Sequence, residues 1–513
     1  MRVVLARLVA ALVVAGGCAQ SETGPDAQAP FDGGALDAPS DATVETDGTS
    51  CSDGVKDGAE TDVDCGGSAC PKCKDGSVCI LAADCSSATC AAGTCGRRAW
   101  SAESNGSDVA VPGDQAWVDT LGLNLQPVLY AKSLVFLRWT GTLRWGGGGN
   151  GLCHVGQRFL IDGVPTGDPT WGDSIMVQNG ATRWHENFTT ELAVPLGPGL
   201  HIISAQMTNA NGFGTCNMDG DAGAAYDRSR LAVSAHDPKT AWYVESTGET
   251  GPLAPGPFTD IPGVSASMTL PASRHVQASL TGSELVGGTG EGYCAYRLVI
   301  DGTPQGDPTQ GQAIAVGDVA TGWWAPVALK YGVDMIAGSH TISAQVSNSS
   351  SQGGTCNAGA GNAAYARFRL FVTSSPIGGP NVSAESTGPA QILGSTSPWT
   401  PVAGLSATFS ISAPTQVQLE MAATEQTISG SGHCAWRFVI DGQPFGDLNH
   451  GQAINVGSST TWWTETSLLW GQSFDTGPHT VSVDVSNSSN SGDCGTNGDG
   501  APYGRAHLLV RAP

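Results

Sequence analysis

GYCAYRLVIDGTPQGD, residues 292–307, joins a cysteine, a run of strand-forming side chains and two reversal signals in one short stretch. Arg297-Leu298-Val299-Ile300 is an apolar, partly β-branched run, and Asp301-Gly302 directly after it is a strong turn signal. Further on, His340-Thr341-Ile342-Ser343-Ala344-Gln345-Val346-Ser347 alternates larger apolar with polar side chains at period two. That is the pattern of a strand with one buried face. Gly and Pro recur between such runs, and no amphipathic pattern of helical length appears. The segment is therefore read as antiparallel β-structure.

The same stretch is written twice more, as GLCHVGQRFLIDGVPTGD at 151–168 and GHCAWRFVIDGQPFGD at 432–447. Asp162, Asp301 and Asp441 recur at intervals of 139 and 140 residues. The second half repeats as well, as GLHIISAQMTN, GSHTISAQVSN and GPHTVSVDVSN, each followed by GTCN, GTCN or GDCG. A period near 140 is too long for a solenoid unit and suits a whole domain. The expected fold class is all-β. Three tandem, disulfide-containing antiparallel β-sandwich modules occupy 99–235, 240–374 and 380–513, with jelly-roll connections as one option. Little sequence separates the modules, so a semi-rigid row of beads is expected.

The cysteines support an oxidising compartment. Of 15, one is Cys18, eight lie between Cys51 and Cys95, and six fall in the repeats. Both larger groups are even, as disulfide pairing requires. One bond per module, Cys153–Cys216, Cys294–Cys356 and Cys434–Cys494, is the simplest account. The Cys-rich segment, 51–97, has hardly any hydrophobic core and must be stapled covalently or by metal. Cys70-Pro-Lys-Cys73 has the spacing of a zinc knuckle, yet no histidine accompanies it, so disulfides are favoured.

Asp53 to Gly67 reads DGVKDGAETDVDCGG. This opening resembles the Cys-rich module of surface lipoproteins of myxobacteria and related bacteria, and the resemblance implies a cell-surface setting. Its carboxylates, Asp57, Glu60, Asp62 and Asp64, do not have calcium-loop spacing and read as a solvated acidic turn. The chain's start agrees. Arg2 and Arg7 precede a short apolar run, Leu8 to Val14, and Val14-Ala15-Gly16-Gly17-Cys18 follows. That is the pattern of an export signal. Small residues before a cysteine resemble the lipobox of bacterial lipoproteins, which implies removal of 1–17 and lipidation of Cys18. A secretory peptide with an ordinary cysteine at its edge is the competing reading. Ala19 resembles the residues that permit transfer to an outer membrane. Residues 18–50 are Asp-, Ala-, Pro- and Gly-rich and form an acidic tether without a core.

The net charge is -23, from 23 basic and 46 acidic side chains. Nucleic acid wants the opposite field and is excluded as a partner. Within the repeats three features are candidate sites. Asp162 and Asp168, Asp301 and Asp307, and Asp441 and Asp447 flank Gly and Pro; they read as turn makers, with Ca2+ as a weaker alternative and no other cofactor expected. Trp184, Trp323 and Trp462 align, with Trp324 and Trp463 beside the latter two and His185 in the first copy. An outward ring there is a stacking platform for a sugar, or covers an edge or a neighbouring module. His201, His340 and His479 open the alternating strand and read as structural. Arg158, Arg297 and Arg437 are expected to pair across the sheet. No Gly-x-Ser-x-Gly elbow is present, and triplication suits weak binding sites more than catalysis. The sequence thus points to a non-enzymatic, lipid-anchored surface protein of the cell envelope. Its modules would bind a glycan or another surface protein; a structural stalk is the alternative and a glycan hydrolase a distant third.

Overall fold

The computed structural model describes residues 51–513 apart from short stretches, the longest at 148–151, 210–214, 219–224, 318–322 and 497–503. Cys18, the signal segment and the tether lie outside the described residues. Strands dominate, and the helical elements described are single 3-10 turns.

Each repeat is a sandwich of two antiparallel sheets, as the period-two patterning requires. In the second copy, Thr259–Leu270, Gly338–Asn348 and Gly292–Ile300 are neighbours in one sheet, with Ala313–Gly317 on the same sheet. Arg274–Gly288 is central in the other, between Arg369–Pro376 and Trp323–Met335. Consecutive strands cross between the sheets, giving jelly-roll-like connectivity. The alternation is clean: Val264, Ala266, Met268 and Leu270 are buried, while Ser265, Ser267 and Thr269 are exposed. They pack with Leu280, Leu298, Ile342, Val346 and Phe368 in one core. The other two copies have equivalent cores.

Cys153–Cys216, Cys294–Cys356 and Cys434–Cys494 are bonded, at sequence separations of 63, 62 and 60. In the second copy the bond links Gly292–Ile300 in one sheet to Gly354–Ala358 in the other. Closing a loop of that length contributes roughly 4 kcal/mol through the unfolded chain. In the Cys-rich segment the pairs are Cys51–Cys70, Cys65–Cys73, Cys79–Cys90 and Cys85–Cys95. Cys70 and Cys73 therefore bond different partners.

The modules do not form a row of beads. They pack cyclically, and the chain closes on itself. Ser174–Asn179 of the first copy lies against Trp323–Met335 of the second, and Ala313–Gly317 of the second against Trp462–Phe474 of the third. Ala453–Ser458 of the third then lies against Arg183–Leu196 of the first, with ladder pairing at Arg183↔Gly457 and His185↔Val456. The same side chains repeat at the seams. Arg369 Nη1 donates to the Asp173 carbonyl at 2.7 Å, and Arg230 Nη1 to the Gln452 carbonyl at 2.9 Å. Tyr365 meets Trp171 at 5.9 Å between ring centroids, and Tyr226 meets His450 at 4.7 Å. Close approach is built into the sequence: a Cβ on Gly332 would lie 2.1 Å from Ser383 Oγ, and one on Gly471 2.3 Å from Ser101 Oγ.

Where the three modules meet, equivalent positions carry different charges. Arg138, Ser279 and Glu420 are one equivalent set, Glu191, Lys330 and Leu469 the next, and Ser234, Thr373 and Arg511 the third. Glu420 accepts contacts from Arg138 Nε at 3.1 Å, Arg511 Nε at 2.9 Å and Lys330 Nζ at 2.9 Å. Lys330 also pairs with Glu191, whose other oxygen accepts from Ser279 Oγ at 2.8 Å. These charged side chains are 1–3% exposed. Burial alone would push the Glu420 carboxyl up, but Arg138, Arg511 and Lys330 together hold it well below the usual carboxylate range.

Candidate functional site

The Asp-Gly-x-Pro-x-Gly-Asp stretch is a hairpin followed by a tight loop. Asp162, Asp301 and Asp441 sit at left-handed φ of 53°, 49° and 50°. Their Oδ1 atoms accept the backbone N–H of Ile202, Thr341 and Thr480, each at 2.8 Å. Their Oδ2 atoms meet Nδ1 of His201, His340 and His479 at 2.9, 2.7 and 2.8 Å. Each imidazole is held on its other side by the carbonyl of Gly197, Ile336 or Asp475. The histidines are hairpin clasps. For His340 the hydrogen bond it donates to Asp301 is the main cause of a raised pKa; burial pushes the Asp301 carboxyl up, but the hydrogen bonds from His340 and the Thr341 N–H bring it below its usual value.

The second carboxylate of each stretch makes a turn of its own. Asp168 Oδ1 accepts from Thr170 and Trp171, Asp307 Oδ1 from Thr309 and Gln310, and Asp447 Oδ1 from Asn449 and His450, all at 2.8–2.9 Å. None of the six aspartates joins a metal-sized cluster of ligands among the described residues. Both oxygens of Asp162, Asp301 and Asp441, and Oδ1 of Asp168, Asp307 and Asp447, are engaged within the hairpin and its loop.

Against this loop lies a feature the sequence reading passed over. Trp117, Phe258 and Trp399 stand at equal intervals of 141 residues, and each ring carries a guanidinium on its face. Arg158 lies 3.9 Å from the Trp117 ring centroid, Arg297 3.8 Å from Phe258 and Arg437 4.1 Å from Trp399. The arginines are fixed by neighbours across the sheet, Gln206, Gln345 and Asp484, as expected of them. The indole N–H groups bond loop carbonyls, Trp117 to Pro169 at 3.1 Å and Trp399 to Leu448 at 2.6 Å. Gly172, Gly311 and Gly451, at φ of 75°, 68° and 66°, let the loop turn and let the ring edge approach. A Cβ on Gly451 would lie 2.7 Å from the Trp399 ring. Exact periodicity of a lone aromatic was the signal available in the sequence.

In the third copy the shelf borders a cleft of about 370 Å³, lined by Trp399, Leu448, Asn449, His450 and Ser486 to Ser488. Leu448 is 82% exposed. Ser486 Oγ and Ser488 Oγ are buried behind this lining and do not open into the cleft. A flat aromatic wall beside neutral side chains suits a polyhydroxylated ligand.

Trp324 takes the second of the two roles expected of these rings. It is half-buried, packs against the core of the second copy and meets Tyr365 edge-on at 5.4 Å, and Tyr365 in turn meets Trp171 of the first copy, so Trp324 stands at a module seam. The side chains of Trp184, Trp323, Trp462 and Trp463 lie outside the described residues.

No family model and no curated protein matches the sequence. Among solved structures the chain is similar to that described as PNGF-II, at 12% identity and a TM-score of 0.22, covering 54% of this chain and 65% of that one. It is also similar to the major capsid protein of STIV, at 10% identity and a TM-score of 0.20, covering 53% and 97%. A tandem CBM22 domain of Paenibacillus barcinonensis Xyn10C matches at 11% identity and a TM-score of 0.14, covering 48% and 82%. The chain thus spans about two thirds of the first of these, and likeness at this level carries no functional argument.

Proposed function

We propose that this protein is a lipid-anchored cell-surface binding protein whose ring of three modules takes a glycan, with the cleft beside Trp399 as its strongest site. The observation that carries the reading is the Trp399 shelf. Its ring is immobilised by Arg437 and the Leu448 carbonyl beside an open cleft rimmed by Leu448, Asn449 and His450. A pre-fixed aromatic loses little entropy on stacking a sugar. The equivalent shelf at Phe258 would bind in weaker form, because Phe258 has no indole N–H to fix its ring to the loop. Export and anchoring rest on Cys18 and the Cys-rich module; four disulfides in that segment support an oxidising location. A closed ring adds little reach, so the stalk reading loses its motive.

The test is a glycan array on the full chain, followed by calorimetry with the best oligosaccharide. Trp399→Ala should weaken binding about ten-fold or more, an amount typical of one lost stacking contact. Leu448→Asp, which alters only an exposed side chain, should also weaken it and leave the melting temperature unchanged. A folded protein that binds nothing on the array, or binds equally well with both substitutions, sinks the proposal.

A further inference from the structure

The outer face of the first module departs from the other two at one cluster of positions. Val128–Leu129 pairs with Gly199–Leu200, which sets Val128 opposite Leu200. The same ladder pair is Thr269 and Ser339 in the second copy, and Ser410 and Pro478 in the third. Ile202, whose carbonyl accepts the Asp162 N–H, corresponds to Thr341 and Thr480, which do the same for Asp301 and Asp441. Tyr130 corresponds to Pro271 and Ser412. All of these residues are exposed. Leu129 and Ile203 point into the core, so by alternation Val128, Tyr130, Leu200 and Ile202 point outward together.

The fold does not need large apolar side chains here, because two copies build the same backbone with Thr, Ser and Pro. The first copy nonetheless leaves four of them 39–59% exposed. Clustered exposure of this kind marks a contact surface. Four side chains fall far short of the 20–30 residues a side that a stable protein interface takes. They suit a lipid surface, which needs no matching shape and favours Tyr at the level of its headgroups. The position in the chain points the same way. The face is continuous with the seat of the Cys-rich module: a Cβ on Gly76 or Gly96 would lie 3.0 or 2.6 Å from the Tyr130 ring. That module begins at Cys51, and the 33 residues from Cys18 to Ser50 span at most about 120 Å. Lys132 and Lys74, beside Tyr130 and beside its seat in sequence, are exposed and can lay their stems on the apolar face with the ammonium groups in water.

We propose that the face made by Val128, Tyr130, Leu200 and Ile202 docks on the lipid surface that anchors the chain, with these side chains in its headgroup layer. The proposal rests on the anchoring reading for the nearness of that surface, and it is independent of the Trp399 cleft. Asp75 borders the face together with Lys74, so local charge selects no anionic lipid and apolar contact carries the binding. Docking through one module of three would fix which way the ring faces.

The experiment is hydrogen exchange on the full chain with Cys18→Ser, so that no acyl group holds it, with and without phosphatidylcholine vesicles at millimolar lipid. Exchange at 128–131 and 199–204 should slow about three-fold or more on vesicles, while the equivalent segments of the other copies stay unchanged. Val128→Thr, Leu200→Ser and Ile202→Thr together install the residues of the second copy. This variant should keep its melting temperature and lose the slowing. No slowing, equal slowing in the variant, or equal slowing in all three copies overturns the proposal. So does slowing that needs no vesicles and grows with protein concentration, which would mean that the face joins two copies of the chain. Acylation of Cys18 is read separately, by mass spectrometry of the native chain, so failure of the anchor and failure of the face give different results.

Discussion

The rim and the axis of the ring treat the repeat in opposite ways. On the rim the three copies solve one problem identically, with Asp–His clasps at 162/201, 301/340 and 441/479 and arginine-backed rings at 117, 258 and 399. On the axis equivalent positions differ in every set, as in Arg138, Ser279 and Glu420. Geometry explains the contrast. Rim sites are far apart and face water, so identical residues do not interact. Around an axis identical residues face each other, and three buried arginines or three glutamates would repel. Divergence makes the contacts complementary and fixes which module sits next to which, a role in which buried ion networks are best attested.

The sharpest way to break this comparison is Glu420→Gln. It leaves three axial cations against one carboxylate and should cost about 3–5 kcal/mol in denaturant unfolding. A loss under 1 kcal/mol would show the axis to be no more demanding than the rim. Removing the sandwich staple by Cys294→Ala with Cys356→Ala should cost about 2–5 kcal/mol and act on one module rather than on the ring. Burial raises the Glu284 carboxyl to about 8, against the hydrogen bond from Tyr296, and Glu425 to about 7. Both pKa values lie above those of the unfolded chain. Their contribution is therefore complete below about pH 4.5 and is lost as pH rises through 7 to 8. Stability should fall by a few kcal/mol between pH 5 and pH 9, and Glu284→Gln should flatten the profile. The smallest effect belongs to the rim: Asp301→Asn should cost under about 1 kcal/mol, because its carboxylate is largely solvated. It should also lower the His340 pKa, which proton NMR can follow.

The sequence made the module legible because its signals are local. Alternation in the strand from Gly338, the reversal at Asp301-Gly302 and the paired cysteines all act within one copy. The ring was not legible. Glu191, Lys330 and Glu420 look like ordinary surface charges on strands, and only tertiary packing brings residues so distant together. Trp324 was left between two roles for the same reason: a wet face and a seam face have the same pattern. The aromatic shelf was missed differently. Trp117 and Phe258 each sit just before their strand and Trp399 at the irregular start of its own, outside the alternating run, and only their spacing gave them away.

The seam between the third and first copies has a consequence for how the molecule matures. Asn187 N–H bonds Asn455 Oδ1, and Asn187 Oδ1 accepts from Ser467, at sequence separations of 268 and 280. These are among the last partners to meet as the chain emerges. Until they do, the first module presents an unmatched strand flank and a half-built ion cluster. The cost of closing so long a loop grows only slowly with length, so the delay is kinetic rather than thermodynamic. The newly made chain therefore passes through an open, adhesive arc before it becomes a ring, and that interval is when it is most exposed to aggregation and proteolysis.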